Sequence, residues 1–106
     1  MEKLFTYGSL QHDEVQQDLF GRTLQGTPET LIGYVVKEIQ IEEEFGLVQY
    51  PIIVETHKPE DTINGIVYTI SSQELRQCDL YEGVHYKRVE VHLQSEQEAW
   101  AYSASI

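Results

Sequence analysis

A carboxylate at position 82 stands on what is otherwise an apolar helical face. Leu75, Cys78 and Glu82 follow one another at spacings of three and four residues, which place them on one side of a helix. Either Glu82 turns outward at a frayed helix end, or its carboxylate points into the interior or a pocket. In the second case burial, the negative end of the helix dipole and the neighbouring rings of Tyr81 and Tyr86 would make Glu82 more basic, which suits a general base.

The loop Tyr7-Gly8-Ser9-Leu10 is the second candidate for chemistry, and it follows a short apolar run that predicts a buried strand. Gly8 permits a sharp turn or the close approach of a ligand to the backbone. Backbone N–H groups that face one way in such a loop suit a carboxylate or a developing oxyanion, and the alternative is an ordinary strand-to-helix turn. Ser9 lacks the flanking glycines of the hydrolase motif Gly-x-Ser-x-Gly, so we interpret it as a loop or cap residue rather than a nucleophile.

The elements that must position these residues are mostly strands. Apolar or alternating runs between Gly, Pro and polar turns predict strands, and a capping box of Ser71 and Glu74 predicts a helix that ends at Gly83. The predicted strands lie in the first half of residues 4–10 and in residues 23–41, 47–55, 62–70, 86–93 and 99–105, and a further helix covers residues 11–20. This pattern predicts an α+β fold, a small mixed β-barrel of six or seven strands with two short flanking helices.

Composition and charge narrow the possible partners. The chain has 106 residues, and we predict a single domain over residues 1–106. The net charge of −11 argues against nucleic acid and against an anionic membrane surface. No apolar stretch is long enough to span a membrane, no signal peptide is recognisable, and the one cysteine, Cys78, fits a reducing cytoplasm. The four histidines have no metal-ligand spacing, so no metal is predicted.

Two motifs together carry a family resemblance. Tyr7-Gly8-Ser9-Leu10 is followed at a long interval by Tyr81-Glu82-Gly83-x-x-Tyr86-x-Arg88, with Tyr50-Pro51 between them. With these motifs in this order, the chain resembles the gamma-glutamyl cyclotransferase-like superfamily. The resemblance implies a small β-barrel with flanking helices and a pocket between the two motifs. It also implies an enzyme that cyclises a γ-glutamyl compound to 5-oxoproline and releases an amine or an amino acid.

The resemblance also implies residue roles. Glu82 matches the catalytic glutamate as general acid and base, and Tyr7, Gly8, Ser9 and Leu10 match the loop that binds the γ-glutamyl group. Tyr86 would orient Glu82 or form a wall of the pocket. No cofactor is required. The expected partner is a small γ-glutamyl substrate of a cytoplasmic protein that is a monomer or a weak homodimer.

Two alternatives to this enzyme stay open at the level of sequence. The first is a catalytically inactive member of the same fold that binds a small carboxylate or a protein partner. The second is a hydrolase that depends on Ser9, which would require that an acylating probe labels this residue. The substrate is also open, because the segment from Glu42 to Leu47 is short and acidic and leaves the leaving-group side of the pocket unassigned.

Overall fold

The computed structural model describes residues 1–105, which form seven strands and two α-helices. The strands are β1 (Glu2–Thr6), β2 (Gly26–Ile32), β3 (Tyr34–Glu43), β4 (Gly46–Glu55), β5 (Thr62–Ile70), β6 (Tyr86–His92) and β7 (Glu98–Ala104). The helices are α1 (Asp13–Phe20) and α2 (Ser72–Glu82). The predicted α+β class is therefore confirmed.

Five strands form one sheet in the order β2-β5-β1-β7-β6, and β3 and β4 form a separate hairpin. Within the sheet β1 and β7 run parallel, and the other neighbours are antiparallel. The parallel pair joins the two ends of the chain at the centre of the sheet. As a result, the loop after β1 lies close to elements that come much later in the sequence.

The predicted closed barrel is wrong for the described residues. The chain leaves the sheet at Gly33, whose φ of +84° separates β2 from β3, so β3 pairs with β4 instead of extending the sheet. Among residues 1–105, the two edges of the sheet are linked by a bridge between Leu31 and Leu93 and by a 2.9 Å hydrogen bond from the Gln94 N–H to the Thr30 carbonyl. The sheet is strongly curved, but its edges share no continuous ladder.

Two apolar clusters hold the sheet in place, one on each face. Phe5 packs with residues of the hairpin and the sheet such as Ile53 and Val91, whereas its neighbour Leu4 packs with Leu75 and Cys78 of α2. This alternation follows from the two-residue period of a strand. β1 is therefore buried on both faces, and the loop that follows it starts from a fixed point.

Helix α2 begins and ends as the sequence predicts. The Ser71 hydroxyl accepts from the Glu74 N–H at 3.0 Å, and the Glu74 carboxylate accepts from the Ser71 N–H at 2.9 Å. Gly83, with a φ of +73°, ends the helix immediately after Glu82. Within residues 1–105, neither helix has the length and apolar character needed to cross a membrane.

Candidate active site

A cavity of about 340 Å³ lies where three parts of the fold meet. Its walls are the end of β1 with the loop after it, strand β4 of the hairpin, and the end of α2 with the start of β6. The lining residues are 5–10, Tyr50, Pro51, Tyr81, Glu82, Tyr86 and Tyr102. All six residues that the sequence singled out, Tyr7, Gly8, Ser9, Leu10, Glu82 and Tyr86, therefore lie on one cavity.

The loop after β1 is held at its base and leaves backbone donors free. The Thr6 hydroxyl donates to the Ile66 carbonyl at 2.8 Å, and the Gln11 amide donates to the Thr6 carbonyl at 2.9 Å. Residues 9–11 form a 3-10 turn, and the backbone of His12 is extended, with a ψ of 132°. Helix α1 therefore begins at Asp13, two residues later than the predicted start at Gln11. Within residues 1–105 the N–H groups of residues 8–10 donate to no other backbone group, and residues 8–10 all line the cavity.

Glu82 is the last residue of α2 and lies one helical turn beyond Cys78. The Cys78 side chain is fully buried, and Glu82 continues the same face into the cavity. Burial raises the pKa of the Glu82 carboxyl to about 7. Desolvation of the charged form is the cause, since no Lys, Arg or His lines the described cavity to stabilise it. The inward orientation considered for Glu82 is the one observed.

Tyr86 forms a wall of the cavity and does not orient Glu82 through a hydrogen bond. Its hydroxyl donates to the Pro51 carbonyl of the hairpin at 2.6 Å. The Tyr7 hydroxyl likewise donates to the Tyr102 carbonyl of β7 at 2.6 Å. Burial and the nearby Glu82 charge raise the pKa of Tyr86 to about 12. Burial, followed by Tyr86 and Glu82, raises the pKa of Tyr7 further, so both phenols stay protonated.

Three further tyrosines line the cavity, although none of them was among the site residues predicted from the sequence. Tyr81 lies beside Glu82, and its hydroxyl is 2.8 Å from Ser9 Oγ. Tyr102 donates to the Asp79 carboxylate at 2.6 Å, and the Tyr50 ring lies 5.6 Å from the ring of His85. The available signal was composition, since five of the seven tyrosines of the chain line this cavity.

The described residues offer no cluster of three or more His, Cys, Asp or Glu side chains that could hold a metal ion. The cavity instead combines one carboxyl group, neutral hydroxyl groups and the N–H groups of residues 8–10. A carboxyl with a pKa near 7 can accept a proton and return it, and backbone N–H groups can bind an oxyanion or a carboxylate. The arrangement suits proton transfer at a small ligand.

Comparisons with known proteins bear on both the family and the fold. A family model described as "Gamma-glutamyl cyclotransferase, AIG2-like" matches residues 4–105. No curated protein matches the sequence.

Solved structures with a similar fold come from several sources. Two solution structures of Arabidopsis thaliana proteins match with TM-scores of 0.77 and 0.73 at 26% and 28% sequence identity, over 98% and 97% of this chain. A structure described as a gamma-glutamyl cyclotransferase matches with a TM-score of 0.68 at 18% identity over 97% of this chain, a likeness of fold alone. This chain spans 62%, 68% and 66% of the three matched chains, respectively.

Proposed function

The chain belongs to the gamma-glutamyl cyclotransferase, AIG2-like family, and we propose that it cyclises a small γ-glutamyl compound to 5-oxoproline. The compound is a γ-glutamyl amino acid or a γ-glutamylamine, and the second product is the released amine. One observation carries the proposal. Glu82, with a pKa raised to about 7 by burial, lies on the same cavity as the loop of residues 7–10.

In the proposed reaction both reacting groups belong to the substrate. The α-amine attacks the γ-carbonyl carbon, so a carbon–nitrogen bond forms and closes a five-membered ring. The bond from that carbon to the leaving nitrogen then breaks. A cavity that holds the substrate in a folded conformation supplies much of the acceleration, because the attack is intramolecular.

Glu82 is proposed to move the proton in both steps. The α-ammonium of the substrate must lose a proton before it can attack, and the leaving nitrogen must gain one before it departs. A chain-terminal α-amino group has a pKa of about 8, and the α-amine of a γ-glutamyl group is more basic because a carboxylate stands next to it. Proton transfer from the α-ammonium to Glu82, whose pKa is about 7, is therefore uphill. A carboxyl group with this raised pKa is nevertheless a better base than an ordinary one and can also return the proton as an acid.

The N–H groups of residues 8–10 are proposed to stabilise negative charge on the ligand. The carbonyl oxygen becomes an oxyanion in the tetrahedral intermediate, and fixed N–H donors lower the free energy of that state more than they lower that of the substrate. The 3-10 turn and the bond from Gln11 to the Thr6 carbonyl hold these donors in place. The loop is thus the fixed half of the site, and Glu82 is the half that exchanges a proton.

The proposal is tested by incubating the protein with γ-glutamyl amino acids, γ-glutamylamines and glutathione and measuring 5-oxoproline. We expect 5-oxoproline and the matching amine to form in equal amounts from at least one compound. Absence of turnover with every compound would overturn the enzymatic proposal. If 5-oxoproline nevertheless raised the thermal unfolding temperature, and a change at Gly8 abolished this effect, the protein would be a binding member of the family.

A further inference from the structure

The hydroxyl groups that line the cavity differ in whether they donate a hydrogen bond to another group of the protein. Seven lining residues carry a hydroxyl group. Five of them give their proton to an acceptor within the protein: Thr6 to the Ile66 carbonyl, Tyr7 to the Tyr102 carbonyl, Tyr50 to the Glu43 carboxylate, Tyr86 to the Pro51 carbonyl, and Tyr102 to the Asp79 carboxylate. None of these five protons is free for a ligand without the loss of an internal hydrogen bond.

The remaining two hydroxyls, those of Ser9 and Tyr81, are bonded to each other. Their oxygens are 2.8 Å apart, and either could be the donor. The two hydroxyl groups carry two protons, and the hydrogen bond between them uses one. The other proton has no acceptor within the pair. Among the described lining residues, this pair is the source of a hydroxyl donor that a ligand can use without breaking a bond in the protein.

The chemistry of the two hydroxyls indicates which proton is left. A phenol is a stronger acid than an aliphatic hydroxyl and therefore the better donor, so Tyr81 donates to Ser9 Oγ. The Ser9 proton then points away from Tyr81 and is available to the cavity. Donation from Tyr81 also polarises the Ser9 hydroxyl and strengthens the bond that Ser9 makes in turn.

A ligand with a carboxylate needs such a donor in this cavity. In the part of the chain that the structure describes, no Lys, Arg or His lines the cavity, and Glu82 adds a negative charge above a pH of about 7. A carboxylate must therefore be held by neutral donors, and the Ser9 hydroxyl is a neutral donor whose proton no internal hydrogen bond uses. The γ-glutamyl group of the proposed reaction carries one carboxylate, on the carbon that bears the attacking amine.

We propose that Tyr81 is a positioning residue that donates to Ser9 Oγ and directs the Ser9 hydroxyl proton to the α-carboxylate of the γ-glutamyl group. This inference rests on the proposed function for the identity of the ligand. The substrate carries two negative groups during the reaction, a permanent α-carboxylate and a transient oxyanion. Ser9, oriented by Tyr81, binds the α-carboxylate, and the backbone N–H groups bind the oxyanion.

The test compares two small ligands that differ only in the carboxylate. 5-Oxoproline carries it, and 2-pyrrolidinone is the same ring without it. We would measure the affinity of both by calorimetry or by NMR titration for the wild type, Ser9→Ala, Tyr81→Phe and the double variant. Tyr50→Phe is the matched control, because it removes a phenol hydroxyl from the same cavity whose proton is already given to Glu43.

We expect Ser9→Ala to weaken 5-oxoproline binding by about 10- to 100-fold, the usual range for a hydrogen bond to a charged group. Tyr81→Phe should weaken it by about 3- to 10-fold, and the double variant should match Ser9→Ala, because Tyr81 acts through Ser9. The affinity for 2-pyrrolidinone should be the same in all proteins, and Tyr50→Phe should keep the wild-type preference for 5-oxoproline.

Several results would overturn the inference. They are unchanged 5-oxoproline binding in Ser9→Ala, losses from Ser9→Ala and Tyr81→Phe that add up in the double variant, equal losses for both ligands, and a wild type that does not bind 5-oxoproline. The binding comparison does not depend on turnover. A protein that binds 5-oxoproline through Ser9 but forms none from γ-glutamyl compounds would overturn the proposed reaction and support the carboxylate site.

Discussion

Cys78 and Glu82 lie one turn apart on the same face of α2, yet the first is in the core and the second is in the cavity. The Cys78 side chain has 0% of its surface exposed, and Gly83 ends the helix directly after Glu82. Burial raises the pKa of both groups, to about 12 for the Cys78 thiol and to about 7 for the Glu82 carboxyl. The buried face of the helix thus supplies an unreactive thiol and, one turn later, a carboxyl that titrates near neutral pH.

The raised pKa of Glu82 makes the protein less stable as the pH rises. The folded protein holds the Glu82 proton more tightly than the unfolded chain, so this contribution to stability is fully present below pH 4.5 and is lost as the pH rises to about 7. Glu82→Gln replaces the carboxyl group with a neutral amide that does not titrate. The variant should therefore be more stable than the wild type at pH 8, by roughly 3 kcal/mol for a pKa that is raised from 4.5 to about 7.

This effect is measured by urea unfolding at pH 4.5 and pH 8. The difference between the two proteins should grow as the pH rises across this interval. Glu60→Gln, on the exposed turn before β5, is the control for loss of one negative charge. A difference between Glu82→Gln and wild type that matched this control at both pH values would show that Glu82 is not desolvated.

Tyr86→Phe should reduce stability without changing the titration of Glu82. The hydroxyl donates to the Pro51 carbonyl, and the cause of the raised Glu82 pKa is desolvation. Loss of this bond between the hairpin and β6 should cost about 1 kcal/mol in the free energy of unfolding. The Glu82 pKa can be followed by NMR in both proteins, and a shift of about one unit in Tyr86→Phe would contradict the role of Tyr86 as a wall.

Substitution by alanine should reduce the stability of the protein at Gly65 but not at Gly8. A Cβ at Gly65 would lie 2.3 Å from the Thr6 carbonyl oxygen and 2.5 Å from a ring carbon of Phe5, whereas a Cβ at Gly8 would have no atom within 4 Å. Gly65→Ala should therefore destabilise the protein by about 1–3 kcal/mol, because β1 cannot move away from β5 without breaking their ladder.

Gly8→Ala should keep the stability of the wild type, because the added methyl group would contact no protein atom. It should bind 5-oxoproline more weakly, because Gly8 lines the cavity and the methyl group would take space that the ligand needs. Thermal unfolding with and without 5-oxoproline measures both quantities. Equal losses of stability in Gly8→Ala and Gly65→Ala would contradict the open geometry of the loop.

Much of the local structure could be predicted from sequence because it depends on local patterns. Strand β5 lies at residues 62–70 as predicted, and the capping box at Ser71 starts α2 as predicted. Both signals involve residues that are close in the chain, in which alternation and capping act directly. The start of α1 was predicted two residues too early, because the extended backbone of His12 has no clear sequence signature.

The strand order of the open sheet and the partners of the site hydroxyls could not be predicted in the same way. The parallel pairing of β1 with β7 joins residues far apart in the chain. Whether Gly33 bends one long strand or separates two strands depends on which neighbours β2 and β3 pair with. The bond between Ser9 and Tyr81 spans 72 residues. Such contacts depend on how the elements pack, so the sequence indicated the two motifs but not the hydroxyl pair that links them.

The most direct test of the role of Glu82 is the pH dependence of 5-oxoproline formation by the wild type and Glu82→Gln. Formation by the wild type should rise as the pH increases through about 7, because the base must be deprotonated in the free enzyme. Glu82→Gln should lose at least about 100-fold in kcat, the usual contribution of a general base, and should lose this pH dependence. An active protein whose Glu82→Gln variant kept the wild-type rate and pH profile would contradict the central claim.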